Sequence, residues 1–136
     1  MQLKNEVGVI VLRIVLGVIF FIHGLAKFQG GIENIAGWFD GIGIPGVMAY
    51  VVASIEVIGG IALILGLGTR IVSALFGLLM IGAIIKVKLA VGFLGNGEMA
   101  GYELEIAYLA MALFLVINGS KKFSVDQFLV KNTNNI

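Results

Sequence analysis

The sequence predicts an all-α membrane protein: a four-transmembrane-helix bundle with a short interfacial helix between the first and second spans. Three observations lead there. Apolar residues make up 60% of the chain and the mean hydropathy is +1.09, far outside the range of ordinary water-soluble domains. Four stretches, each near the roughly 20 apolar residues that a crossing helix needs, follow one another at approximately 7–27, 47–67, 70–92 and 102–119. Finally, 20 glycines stand against one proline, a balance that suits membrane helices packed through small residues. At 136 residues, a single domain covering 1–136 is expected.

The first span opens on a polar segment (Gln2, Lys4, Asn5, Glu6) like the start of a signal peptide. No small-residue cleavage site follows, so a retained helix is expected. The stretch GGIENIAGWFDGIGIPG (30–46) carries Trp38 and Phe39 beside Glu33 and Asp40, and aromatics flanked by charge suit a helix lying in the interface. Its glycines and Pro45 end that helix and start the second span. Gly66, Gly68, Thr69 and Arg70 leave room only for an antiparallel hairpin between spans two and three. The last connection, GFLGNGEMAG (92–101), reads as a glycine-rich loop.

Orientation follows from basic residues at span ends. Lys4, Arg70, Lys121, Lys122 and Lys131 fall on one side; Lys27, Lys86 and Lys88 lie toward the other. A multi-pass protein of the cell membrane with both termini in the cytoplasm is expected.

Ionisable residues within the spans are the candidate functional groups, because each costs roughly 2.5–3.5 kcal/mol at the bilayer centre and therefore faces the bundle or a partner. Depth estimated at 1.5 Å per residue puts Arg13 in the inner half, Glu56 near the midplane, and His23, Lys86 and Glu105 together in the outer half. Lys27, Lys88 and Glu103 fall nearer the outer surface. Arg13, Gly17, Phe20, Gly24 and Lys27 share one face of the first helix, with His23 beside it. Lys86 and Lys88 differ by about 200° in helical angle, as do Glu103 and Glu105; the deeper members, Lys86 and Glu105, are expected to point inward. Arg13 is expected to pair with Glu56. Such pairs can also be structural, fixing helix register without chemistry.

Other chemistries are excluded or declined. The nine basic and eight acidic residues leave a formal charge of +1, so no basic surface exists for nucleic acid. Without cysteine there is no disulfide exchange and no thiolate for an iron–sulfur cluster. A single histidine rules out bis-histidine haem within one chain and leaves no ligand set for zinc or another metal site. Gly41 to Gly46 reads GIGIPG, the dinucleotide fingerprint letter for letter, but it lies outside any strand–helix unit and reads as a turn, so no flavin or nicotinamide site is expected.

The segments RIVLGVIFFIHGLAKF (13–28), GIGIPG (41–46), EVIGGIALILGLGTR (56–70) and ELEIAYLA (103–110) resemble the DoxX family of small four-helix membrane proteins over nearly the whole chain. The resemblance implies membrane redox chemistry, since members are tied to a thiosulfate:quinone oxidoreductase and to quinone, catechol or thiol stress. The family's polar pattern falls on Arg13, His23, Lys27, Glu56, Arg70 and Glu105; Lys88 stands where relatives often carry His. The expected function is thus an oxidoreductase subunit binding a quinone-like or small aromatic molecule, linked to the stress response. His23, Glu56 and Glu105 would be the catalytic candidates, and Arg13, Lys27 and Lys86 the substrate-binding ones. Expected partners are the lipid bilayer, a soluble or membrane redox partner, and further copies of the chain. Two rival readings are a small proton-coupled transporter and a non-catalytic membrane anchor for a soluble redox enzyme.

Overall fold

The computed structural model describes residues 2–119 and 125–134. Among these residues the chain is entirely helical apart from loops and one isolated bridge between Gly95 and Ala100. The helices are α1 (Gln2–Gln29), α2 (Ile32–Gly41), α3 (Val47–Leu65), α4 (Thr69–Ala83), α5 (Glu103–Asn118) and α6 (Val125–Asn134). α4 runs without a break into a π-helical turn, Ile84–Lys88. Three of the helical stretches are long and apolar enough to cross a membrane: Lys4–Gln29, Val47–Leu65 and Thr69–Lys88.

The bundle buries charged residues along with its core and displays many large apolar ones. Ile58, Ile71, Leu78 and Ile117 are each at least 65% exposed, while Arg13 and Glu56 are buried. That inversion suits a hydrocarbon surround, where an outward leucine costs nothing. α1 and α3 pack antiparallel through glycines. A Cβ built on Gly17 would lie 2.7 Å from Gly60 O, and one on Gly24 would lie 2.8 Å from Ala53 O. These contacts fix the register of the two helices.

Above and below that seam the core is closed by Leu16, Phe20, Leu63, Phe76, Ala112 and Leu115. Phe20 stacks on Phe76 with ring centroids 4.0 Å apart, an arrangement that Gly59 permits, since a Cβ there would meet the Phe76 ring at 2.8 Å. α2 rests on α3 through Ile32, Ala49 and Ala53. Its connection to α3 is held by Asp40 Oδ1, which accepts from the Gly46 N–H at 2.8 Å. Gly43 sits at φ 85° in that connection, a conformation that glycine adopts freely.

The opposite end is tied by α6, where the sequence suggests only a polar tail. Asp126 accepts from the N–H groups of Gly68 (2.7 Å) and Thr69 (3.0 Å), capping α4, and its own N–H donates to Gly66 O. Arg70 donates to Ile117 O at 3.3 Å, joining α4 to the end of α5.

Span limits differ in detail from expectation. The second helix stops at Leu65 because Gly66 turns left-handed (φ 73°), and the third stops at Lys88 rather than at residue 92. α5 has 16 residues, or about 24 Å of helix. The basic residues Lys121 and Lys122 lie outside the described residues.

Candidate functional site

A cavity of 450 Å³ opens between the ends of α1, α3 and α5, the last turns of α4, and α2. Its volume is within the range of small-molecule sites, roughly 300–1,000 Å³. Tyr108 lines it and packs against Phe20 of the core, which in turn stacks on Phe76. Trp38 and Phe39 of α2 form the facing wall. Aromatic walls with a few convergent polar groups are what a planar ligand needs.

The polar lining is His23, Lys27, Glu56, Lys86, Lys88, Glu105 and Tyr108. Five of the six site residues singled out in the sequence therefore meet here: His23, Lys27, Glu56, Lys86 and Glu105. Arg13 does not. The α1–α3 register sets Gly17 against Gly60 and Gly24 against Ala53, so residue numbers facing each other add to 77. Glu56 is then level with Phe21, eight residues beyond Arg13, or about 12 Å along the helix. Arg13 instead lies buried at the other end, within electrostatic reach of Asp126.

The partner of Glu56 is Lys27. Lys27 Nζ donates to Glu56 Oε1 at 2.7 Å, with the two side chains 28% and 5% exposed. α1 brings Lys27 one helical step past Gly24, on the seam face, so its stem runs along the bundle to the carboxylate. This ion pair replaces the expected link between Arg13 and Glu56.

A second pair forms on the other wall, and it also revises an expectation. Lys88, not Lys86, approaches Glu105: Nζ lies 3.6 Å from Oε1 and donates to Ala100 O at 2.8 Å. The cause is the π turn, in which the Leu89 N–H reaches back five residues to Ile84 O at 2.7 Å. One extra residue in that turn re-aims the side chains at its C-terminal end. Lys86 also lines the cavity but is exposed and makes no ion pair among the described residues. Glu105 does point inward, as expected, and Glu103 is exposed. Glu105 Oε2 is buried with no hydrogen-bond partner, an open acceptor at the cavity wall.

Sequence reasoning misses Tyr108 although a signal exists: it stands three residues after Glu105, on the same face of α5. It is 8% exposed and lies edge-on to the His23 ring, centroids 6.3 Å apart. The sequence marks Trp38 and Phe39 as interface anchors, and their place on the cavity wall depends on how α2 folds back over α3. Among the described residues no group of three or more His, Cys, Asp or Glu could hold a metal ion.

Fold and cavity together define a small all-α membrane protein with a polar, aromatic-walled site inside its helical bundle. The chain belongs to the DoxX family, whose model matches residues 8–89. It is 45% identical to the Bacillus subtilis protein named "Putative oxidoreductase CatD" over 135 residues, covering 99% of this chain and 96% of that one. An uncharacterized membrane protein of Mycobacterium tuberculosis is 31% identical, covering 91% of this chain and 82% of its own. The Escherichia coli inner membrane protein YqjF is 32% identical, covering 96% and 98%. No solved structure matches. Membrane localisation agrees with both these relatives and the apolar helices.

Proposed function

We propose that this chain is a membrane oxidoreductase subunit that holds a quinone-like or other small aromatic molecule in the cavity and exchanges protons with it. The observation that carries the reading is the convergence of two ion pairs, a free carboxylate oxygen and three aromatic side chains on one 450 Å³ space. The 45% identity to a protein named an oxidoreductase supports the reaction class.

In this mechanism the ring lies among Trp38, Phe39 and Tyr108. His23 or Lys86 donates a hydrogen bond to a carbonyl oxygen, so that negative charge developing there during reduction meets a positive or N–H group. Glu105, through its open Oε2, or Glu56 exchanges the proton. Lys27 keeps Glu56 paired and oriented, the task for which the sequence suggests Arg13, and Lys88 does the same for Glu105. Converting a quinone to a hydroquinone consumes two electrons and two protons. The chain has no cysteine and no nucleotide-binding motif in a working context, so the electrons come from a soluble or membrane redox partner. The biological setting we assign is defence against quinone or catechol stress.

The same proposal has the chain crossing four times, α5 being the last span, with both termini in the cytoplasm. Supporting this, Arg13 of α1, the α3–α4 turn and Asp126 of α6 lie together at one end, opposite the cavity.

Complementation tests the function. A strain lacking its own copy and challenged with a quinone should be protected by the wild type, whereas Glu105→Gln, inserted and folded normally, should protect poorly. Full protection by a folded Glu105→Gln, Glu56→Gln double variant would leave no role for either carboxylate and defeat the mechanism.

A further inference from the structure

We infer that the cavity takes its aromatic ligand as an anion: a planar ring bearing one ionised oxygen, which Lys86 receives. The inference rests on the proposed reading of the cavity as an aromatic-binding site and adds the charge state of what it binds.

The argument is a charge count over the lining. Lys27, Lys86, Lys88, Glu56 and Glu105 are the formally charged groups that face the space, with His23 the one further titratable base. Lys27 is matched by Glu56 at 2.7 Å and Lys88 by Glu105 at 3.6 Å. One positive charge is left over, and it is Lys86, whose side chain makes no ion pair or hydrogen bond among the described residues. Glu103, the nearest further carboxylate along α5, is not part of the lining. Charges within a membrane bundle pair with one another or mark a ligand's path. Lys86 lines the cavity and is also exposed, so its ammonium is not committed to any protein group, and a ring with an ionised oxygen in the cavity matches it with a charge-assisted hydrogen bond that a neutral ring does not offer.

The test compares two ligands with the same ring, 2-hydroxy-1,4-naphthoquinone, which is ionised at neutral pH, and 2-methoxy-1,4-naphthoquinone, which cannot ionise. Affinities are measured by equilibrium dialysis against the full chain in phosphatidylcholine nanodiscs. The hydroxy compound should bind about tenfold tighter, the order expected of one charge-assisted hydrogen bond. Lys86→Gln should bring the ratio of affinities close to one, and Lys86→Arg should restore it. Saturable binding of both compounds with equal affinity would overturn the inference and leave the aromatic site standing. No saturable binding of either would overturn both. A ratio unchanged by Lys86→Gln would also overturn it, because the preference would then come from another group. With both affinities corrected for partition into protein-free nanodiscs of the same lipid, replacing part of the lipid by phosphatidylglycerol should leave the ratio intact; its collapse after that correction would make Lys86 a lipid-phosphate site and overturn the assignment to the ring.

Discussion

Removing Lys27 should damage this protein far more than removing its partner. At 2.7 Å and an effective dielectric constant near 20, two unit charges attract by about 6 kcal/mol, most of which offsets the loss of water around the buried Glu56 carboxylate. Lys27→Met leaves that carboxyl 5% exposed and without its ion-pair partner, so it either takes up a proton or stays charged and unmatched, and breaking a buried pair in this way typically costs about 3–5 kcal/mol. Glu56→Gln leaves instead a lysine already 28% exposed, whose flexible stem can carry the ammonium outward, for about 1–2 kcal/mol. Combining the two changes, Lys27→Met with Glu56→Gln, removes both charges and should recover most of the stability. The assay is unfolding in mixed detergent micelles, with all four proteins run as a double-mutant cycle. Additive effects within about 0.5 kcal/mol, or a Glu56→Gln variant less stable than Lys27→Met, would refute the pairing as the support of Glu56.

Other consequences are simpler to check. Gly60→Ala should lower stability by about 1–3 kcal/mol, because its Cβ would meet Gly17 O at 2.6 Å and Phe21 N at 2.7 Å across the α1–α3 seam; Gly82→Ala, which meets nothing within 4 Å, should be near neutral, and equal effects in thermal unfolding would contradict the seam. Asp126→Ala should cost about 1–2 kcal/mol by freeing the α4 N–H groups it caps, while an unchanged melting temperature would show that α6 is not docked there. Cysteines placed at Asn5 and Asn134 should label only from the cytoplasm and one at Asn96 only from outside; labelling of Asn96 and Asn134 from one side would end the four-span proposal. Gly43→Ala should change stability only, through its φ of 85°, and saturable nucleotide binding lost with that change would reinstate the fingerprint at 41–46.

The helices are legible in the sequence because hydropathy and length suffice to mark a membrane span, and the glycine seam because Gly17, Phe20 and Gly24 repeat at helical spacing. The cavity is legible in part, since depth alone places His23, Lys86 and Glu105 at one level. What depth does not supply is the partner of each charge. Arg13 and Glu56 look complementary in sequence, but the glycine contacts slide α1 so that Lys27, three residues beyond Gly24, reaches Glu56 first. An α-helical angle turns Lys88 away from the bundle, but the π turn at Ile84–Lys88 does not obey that angle, and nothing in IIKVK announces the turn. α6 escapes a sequence reading because a ten-residue polar helix has little propensity of its own; the docking of Asp126 on α4 holds it.

Trp38 is the chain's single tryptophan and stands on the cavity wall, so its fluorescence reports directly on the central claim that an aromatic molecule binds there. Titrating 1,4-naphthoquinone into the protein in nanodiscs should quench it saturably. Gly82→Phe, which projects a ring into open space at the cavity lining, should abolish the saturable component and leave only linear, collisional quenching. Saturable quenching that survives in Gly82→Phe, or only linear quenching in the wild type, would contradict the claim.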